Sequence, residues 1–227
     1  MLNKNYADII LSRLEKKFMI PKGEFIAYDI YKSTGDPFKV LVATIISQNT
    51  LERNSYKAYS NLEKIVGIDP DKIYKTSLKM IEDAIKPAGL WKNKAKAIKV
   101  LAETIVEKYS GDIKNLFKGT NVNEVREKLK SIKGIGFKTI DIVLANLGYG
   151  VIPLDTHVKR VAYRLGLTKA KTYTKIQEDL HRIIEKRNRL KAHLLLIMLG
   201  RKYCRSKKPL CEKCVLEDIC LKVGVNR

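Results

Sequence analysis

The sequence predicts an all-α protein, and three features support this prediction. Apolar residues recur at the helical spacing i, i+3, i+4 and i+7, as in Ile98–Ile105 and Ile140–Leu147. No segment shows the sustained apolar–polar alternation of a half-buried strand, and Val151–Leu154 is only a short extended link. Asp36-Pro37 is a strong helix start, because aspartate is a favoured N-cap and proline suits the first helical position.

Helical spacing of apolar residues predicts a series of helices along the chain. In order, they cover residues 7–17, 38–46, 52–66, 77–85, 98–105, 123–131, 140–147, 156–165, 173–187 and 190–203. Glycine and proline end helices, and they cluster near residues 21–23, 33–37, 111 and 148–153. We therefore expect two helical domains, a central one over residues 34–150 and a second one formed by 1–33 together with 151–227.

The chain carries a large excess of positive charge. Its 227 residues include 45 Lys and Arg against 24 Asp and Glu, a formal net charge of +21, and the basic residues are spread along the whole sequence. Such an excess on a folded domain favours a polyanion partner, since each neutralised phosphate releases counterions. A general role in solubility is the alternative. We expect a nucleic acid, and charge alone does not separate DNA from RNA.

Hydropathy and the first residues show no sign of a membrane-bound or secreted protein. The longest apolar stretch, Leu194–Leu199, is too short to span a bilayer. The sequence starts without the basic-then-apolar pattern of a signal segment. We therefore expect a cytoplasmic protein without a membrane partner, and we expect it to be monomeric.

All four cysteines lie near the C-terminal end in the pattern C-x6-C-x2-C-x5-C, as Cys204, Cys211, Cys214 and Cys220. Four soft ligands in one short segment are able to converge on a single metal centre. Two unstrained disulfides form less easily, because Cys211 and Cys214 are too close to serve different bridges. Zinc is the alternative metal, although its sites usually have two C-x2-C pairs or add histidine. All-cysteine ligation with uneven gaps favours a [4Fe–4S] cluster.

Two glycines mark a hairpin between two predicted helices. Gly134-Ile135-Gly136 lies within residues 129–139, and both glycines allow positive φ and a close approach of the backbone. At the start of the following helix, free N–H groups attract an anion. We predict that Gly134, Gly136 and the preceding Lys133 grip a DNA phosphate without reading the base sequence. An ordinary tight turn is the alternative.

A lysine and an aspartate are candidate catalytic residues. Lys138 lies in the first turn of the second hairpin helix, where the positive helix end and neighbouring cations disfavour an ammonium and favour a nucleophilic amine. Asp155 lies where the extended link ends and a helix starts. Its carboxylate is able to stabilise positive charge at a sugar C1′ and to help move protons. As an N-cap it would contribute about 1 kcal/mol, and the two roles are compatible.

Three motifs together resemble one known family. The hairpin Lys-Gly-Ile-Gly-Phe-Lys-Thr at 133–139, the Leu-Asp-Thr-His-Val block at 154–158 and the four-cysteine pattern occur in the order and spacing of the endonuclease III family. That family belongs to the helix–hairpin–helix DNA glycosylases. The resemblance covers about residues 30–220 of this chain.

The resemblance implies a fold, a reaction and a set of site residues. It implies two helical domains with DNA bound in the groove between them and a damaged base flipped out of the stack. Lys138 matches the Schiff-base lysine that expels the base and supports β-elimination, and Asp155 matches the essential aspartate. Gln48 or Asn49 matches the side chain that fills the space left by the flipped base, and the choice between them is open. The four cysteines match the ligands of a structural [4Fe–4S] cluster.

Departures from the family pattern leave the damaged base open. The family usually has proline at the position of Lys133 and often a basic residue at that of Phe137. Relatives that act on mismatches typically carry Tyr or Ser in place of Lys138, so this lysine favours a glycosylase with lyase activity. We expect double-stranded DNA with an oxidised pyrimidine or an abasic site as the partner. The alternatives are a monofunctional mismatch glycosylase, in which Asp155 activates water, and a non-enzymatic DNA-binding or redox-sensing module.

Overall fold

The computed structural model describes residues 4–118 and 121–225, and within these ranges it contains α-helices, short 3₁₀ turns and no strand. The all-α prediction is therefore confirmed. The helices are α1 (Lys4–Lys17), α2 (Ile26–Thr34), α3 (Pro37–Ser47), α4 (Glu52–Ile65), α5 (Pro70–Lys75), α6 (Leu78–Ile85), α7 (Trp91–Tyr109), α8 (Lys114–Phe117), α9 (Val122–Lys130), α10 (Phe137–Asn146), α11 (Thr156–Arg164), α12 (Tyr173–Ile183) and α13 (Arg189–Lys202). None of these helices is both long and apolar enough to cross a membrane.

The helices differ from the sequence prediction in a few places. Helices α2, α5 and α8 were not predicted, because short helices hold few periodic positions. The predicted helix over 173–187 is too long. Helix α12 ends at Ile183 because Ile184 has an extended backbone, with φ −109° and ψ 121°. A 3₁₀ turn follows at Lys186–Asn188.

The chain divides into two compact units. Pro21–Tyr149 forms the middle unit, and the described residues on either side of this range form the terminal unit. Helix α2 belongs to the middle unit, because it packs against α3 and α10 and buries Ile26 and Ala27. The sequence analysis instead places residues 1–33 in the terminal domain. In the structure the middle unit starts earlier, at Pro21. A helix joins the unit whose helices cover its apolar side.

Helix α3 is the core of the middle unit. Every residue from Pro37 to Ile46 except Lys39 is buried. The helix packs against α2, α4, α7 and α10. The predicted N-cap is present: Oδ1 of Asp36 accepts hydrogen bonds from the backbone N–H of Phe38 at 2.8 Å and of Lys39 at 3.4 Å. A helix with apolar residues on all sides is stable only where other elements surround it.

A buried ion pair joins the two helices of the hairpin. Arg126 on α9 donates to Oδ1 of Asp141 on α10, from Nε at 3.0 Å and from Nη2 at 2.9 Å. The aspartate is 1% exposed. Charge-assisted hydrogen bonds are strong and directional. This pair therefore fixes how α9 and α10 flank the turn between them.

Helices α11 and α13 form the centre of the terminal unit, with α1 packed against α12 and α13. All residues from Ala192 to Ile197 of α13 are buried. Where α11 and α13 cross, a Cβ at Gly200 would lie 2.9 Å from the Cβ of His157. Glycine therefore allows these two helix backbones to approach more closely than larger residues would.

Removing the arginine of the hairpin ion pair tests its contribution to stability. We expect Arg126→Met to lower the free energy of unfolding by about 2–4 kcal/mol, because the buried Asp141 loses its arginine partner. Urea denaturation followed by circular dichroism measures the change. The matched control is Lys79→Met, which breaks the exposed pair with Asp83 and should change stability much less, because exposed ion pairs contribute little. Equal effects of the two substitutions would contradict the assignment.

Candidate functional site

The hairpin turn is anchored by apolar side chains and leaves its other residues exposed. Ile132 and Ile135 are 2% and 4% exposed. The N–H of Ile135 donates to the C=O of Ile132 at 3.1 Å, which closes the turn. In contrast, Lys133, Gly134 and Gly136 are exposed. The residues predicted to bind phosphate therefore lie together on one accessible turn.

The two glycines of this turn have different structural roles. Gly134 has φ +94°, and a Cβ there would lie 2.7 Å from the Cβ of Ala97 on α7. Gly136 is the N-cap of α10 with φ −96°, and a Cβ there would meet none of the described atoms within 4 Å. Gly134 is therefore required by backbone conformation and packing, whereas Gly136 leaves open space before α10. The first N–H groups of a helix have no acceptor within the helix and are available to an anion.

Lys138 is the second residue of α10 and is exposed. The side chain of the preceding residue, Phe137, is 52% exposed, whereas the following residue, Thr139, is buried. Nζ of Lys130 lies 5.0 Å from the centroid of the Phe137 ring. The candidate nucleophile is therefore accessible, on the first turn of a helix that Thr139 anchors.

The turn that follows α3 is joined to the same helix. Nε2 of Gln48 donates to Oγ1 of Thr139 at 2.8 Å. Thr139 directly follows Lys138, so the structure brings Gln48 and the first turn of α10 together. Asn49 is exposed and has φ 50°, a left-handed conformation that asparagine tolerates better than most residues. The two candidate space-filling residues therefore differ, because the Gln48 side chain is hydrogen-bonded within the protein and Asn49 is exposed.

A buried lysine holds this turn, and the sequence analysis did not single it out. Lys94 on α7 is 4% exposed. Its Nζ donates to the C=O of Ile46 at 2.7 Å and to the C=O of Ala88 at 2.9 Å. It also donates to Oγ1 of Thr50. Burial lowers the pKa of Lys94 from 10.5 to about 8.

The helical spacing of α7 contains a signal for this burial. Lys94 precedes Ile98 by four residues and Leu101 by seven, so it lies on the stripe that faces the core. Ile98 and Leu101 are fully buried. Lysine is rarely buried unless partners hold its charge, and here three oxygen atoms do so.

Asp155 caps helix α11 in the terminal unit. Its Oδ1 accepts a hydrogen bond from the N–H of Val158 at 2.7 Å, so the predicted helix start is present. Burial lowers the pKa of the nearby His157, and the charge of Asp155 acts in the opposite direction. The N-cap bond holds the carboxylate in a defined orientation.

Side chains from α12 and α13 hold the extended link that leads to this cap. The N–H of Ile152 donates to Nε2 of His181 at 3.1 Å, and its C=O accepts from Nε2 of Gln177 at 2.9 Å. Nδ1 of His193 lies 2.9 Å from the C=O of Pro153. Both histidines therefore contact backbone groups, and they fix the position of the residues just before α11.

The four cysteines of the C-terminal pattern line one cavity in the terminal unit. All four are described by the structure, and none is in a disulfide. Donors face two of the sulfur atoms. The backbone N–H of Lys222 donates to Sγ of Cys220 at 3.4 Å, and Nη1 of Arg164 lies 3.6 Å from Sγ of Cys204.

The thiols around this cavity are partly buried. Burial raises the pKa of Cys214 and Cys220, and the neighbouring cysteines raise both further. Within residues 4–118 and 121–225, no three His, Cys, Asp or Glu side chains are arranged to hold one metal ion.

Known proteins resemble this chain over most of its length. Residues 42–186 match the HhH-GPD superfamily base excision DNA repair protein family. The chain is 38% identical to an endonuclease III of Sulfolobus acidocaldarius, over 94% of this chain and 95% of that protein. Its structure resembles that of an endonuclease III trapped as a covalent intermediate with DNA, with a TM-score of 0.78, 27% identity, and 98% and 97% of the two chains covered. A thermostable thymine-DNA glycosylase shares the fold, with a TM-score of 0.75, 20% identity and 95% of each chain covered.

Alanine substitutions at the two hairpin glycines should separate their roles. We expect Gly134→Ala to lower the free energy of unfolding by about 2–3 kcal/mol, because the new Cβ meets Ala97 and positive φ strains the backbone. Gly136→Ala is the matched control and should change stability by less than about 1 kcal/mol, since it has space and negative φ. Urea denaturation measures both. A larger loss at Gly136 than at Gly134 would refute this distinction.

Proposed function

Since this chain belongs to the endonuclease III family, within the HhH-GPD superfamily of base excision DNA repair proteins, we propose that it is a DNA glycosylase with AP lyase activity. Its partner is double-stranded DNA that contains a damaged base or an abasic site. The observation that carries this proposal is Lys138, an exposed amine on the first turn of the hairpin helix. A lysine at this point allows a covalent mechanism.

The hairpin binds a phosphate of the DNA backbone. Its residues Lys133, Gly134 and Gly136 are exposed, and the space in front of Gly136 is open. A phosphate is therefore able to reach the N–H groups at the start of α10, where the helix dipole favours negative charge. Lys133 adds a positive charge beside them. This contact positions the DNA and does not read its sequence.

Lys138 supplies the nucleophile. Its neutral amine attacks C1′ of the deoxyribose, so a C1′–Nζ bond forms while the glycosidic C1′–N bond breaks and the base leaves with a proton. The nitrogen lone pair then expels O4′, which takes a proton as the sugar ring opens, and the resulting protonated imine acidifies the hydrogen at C2′. Loss of this proton breaks the C3′–O bond and releases the 3′ phosphate by β-elimination. Water then hydrolyses the imine and restores the free lysine.

Asp155 supplies a carboxylate for the same reaction. The N-cap bond to Val158 holds its Oδ1, and the link before it is held by His181 and Gln177. A carboxylate in a fixed orientation stabilises the positive charge that develops at C1′. It is also able to accept the proton that the attacking amine loses.

Asn49 is the residue that we assign to the space left by the flipped base. The side chain of Gln48 is engaged by Thr139, so its use in the DNA would require that hydrogen bond to break. Asn49 is exposed and needs no such rearrangement. Gln48 then fixes the turn relative to α10, and Asn49 offers an amide able to donate and accept hydrogen bonds to the orphaned base.

The four cysteines are the ligands that we assign to a [4Fe–4S] cluster. They line one cavity, and a [4Fe–4S] cluster takes one cysteine thiolate for each iron. When bound, the cluster cross-links this segment by metal–sulfur bonds. The N–H of Lys222 and the guanidinium of Arg164 stabilise negative charge on the sulfur atoms.

Oxidised pyrimidines are the class of base that we propose as substrate, with activity in the cytoplasm, and at the nucleoid if the cell is prokaryotic. The second candidate is a monofunctional mismatch glycosylase, which the shared fold with a thymine-DNA glycosylase allows. In that case Asp155 would activate water and Lys138 would only assist.

Borohydride trapping on abasic-site DNA distinguishes these candidates. We expect a covalent protein–DNA adduct with the native protein and none with Lys138→Ala, because reduction captures the imine of that amine. Lys130→Ala is the control, since it removes an exposed lysine next to Phe137 at the same hairpin and should still give the adduct. Asp155→Asn should lower base release at least about a hundredfold. Base release without any adduct would favour the mismatch glycosylase.

Spectroscopy and elemental analysis test the assigned cluster. We expect a broad absorbance in the blue region and about four irons per chain. We expect Cys214→Ser to lower both the absorbance and the iron content, because it removes one thiolate ligand. Stoichiometric zinc in place of iron would refute the assignment.

A further inference from the structure

The buried lysine of α7 joins three segments of the middle unit. Its Nζ contacts the C=O of Ile46 near the end of α3, Oγ1 of Thr50 after that helix, and the C=O of Ala88 in a 3₁₀ turn. Thr50 also donates to the C=O of Ala88 or Gln48. The residues between Ile46 and Thr50 are those that the proposed function places against the DNA. Lys94 thus spans the base of this turn from inside the protein.

The number of donors matches the number of acceptors. An ammonium group has three N–H bonds, and the three oxygen atoms around Nζ accept all of them. The carbonyl of Ile46 belongs to the last turn of α3, where carbonyls have no partner within the helix and the dipole favours a cation. A neutral amine has only two N–H bonds, so one oxygen would lose its donor.

We propose that Lys94 is a positioning residue, whose ammonium group fixes the turn 47–50 so that Asn49 is held ready to enter the space left by a flipped base. This inference rests on the proposed function of that turn. Lys94 does not touch DNA, since it is buried. It acts through the backbone on either side of Asn49, whose left-handed conformation, with φ 50°, requires support from its surroundings.

The ionisation of Lys94 gives this role a dependence on pH. The groups that face Nζ are the carbonyls of Ile46 and Ala88 and the hydroxyl of Thr50, and none of them is ionisable. Burial lowers the pKa of Lys94 to about 8. The ammonium is therefore present below about pH 8, and the third hydrogen bond is lost as the pH rises through this value.

The contribution of Lys94 to stability should rise with pH, whereas its hold on the turn 47–50 should weaken. Because the pKa is lower in the folded protein than the ordinary 10.5, the unfolded chain binds more protons between about pH 8 and 10.5. The contribution of Lys94 to the free energy of unfolding therefore rises over this range, while its hold on the turn weakens. A role in stability alone would move activity and stability together.

The central experiment is a double-mutant cycle between Lys94→Met and Asn49→Ala. Single-turnover base excision is measured on a duplex with one oxidised pyrimidine, and borohydride trapping on a single-stranded abasic oligonucleotide, where no base stack must be filled. We expect Lys94→Met to lower duplex excision about tenfold, as for loss of a hydrogen bond to a charged group, and to leave trapping unchanged. With Asn49→Ala already present, Lys94→Met should have less than about a twofold further effect.

The conservative variant Lys94→Arg keeps the charge above pH 8. We expect the excision rate of the native protein, relative to that of Lys94→Arg, to fall as the pH rises from about 7 to 9. A constant ratio would overturn the pH dependence. This comparison also decides the proposal if Lys94→Met does not fold. Two results would overturn the proposal itself. One is full duplex activity of Lys94→Met. The other is a double mutant in which the losses from Lys94→Met and Asn49→Ala multiply.

Hydrogen exchange separates failure of this inference from failure of the proposed function. Deuterium uptake over residues 46–51 is compared in the native protein and Lys94→Met at pH 7 without DNA. Increased uptake confined to this segment supports the positioning role, and unchanged uptake overturns it. If the native protein excises no base and gives no adduct, the proposed function fails, and the exchange result still decides whether Lys94 holds the turn.

Discussion

Helix α3 is stable only inside a shell of other helices, because all its residues from Pro37 to Ile46 except Lys39 are buried. The shell is formed by α2, α4, α7 and α10, and two of these helices reach the end of α3. Helix α7 does so through Lys94, and helix α10 through Thr139. The packing of one apolar helix thus decides where the turn 47–50 lies relative to the hairpin lysine.

Irregular backbone in this protein is held by side chains from neighbouring helices. The link before Asp155 is held by His181, Gln177 and His193, and the turn after α3 by Lys94 and Gln48. Buried backbone groups outside helices need such partners, since an unpaired donor or acceptor costs free energy. The same bonds restrict the motion of the residues that we assign to the reaction. Stability and orientation of the reactive groups therefore have a common origin.

The hairpin combines a rigid base with an accessible face. Ile132, Ile135 and the Arg126–Asp141 pair fix it from inside, and Gly134 allows it to approach α7. Lys133, Gly136 and Lys138 are left exposed. We propose the amine of Lys138 as the nucleophile, and a rigid turn limits the conformational entropy lost when it attacks. This arrangement explains why the departures from the family pattern at Lys133 and Phe137 concern the surface and leave the hairpin fold intact.

The sequence alone determined the helical class, the Asp36 cap, the hairpin, the cysteine pattern and the family, because each of these depends on neighbours close in the chain. Tertiary structure decided which polar groups meet. It placed α2 in the middle unit, buried Lys94 under the turn 47–50, and bonded Gln48 to Thr139 while leaving Asn49 exposed. Such contacts join residues far apart in the chain, and a local pattern of residue types does not specify which long-range partner packing will supply.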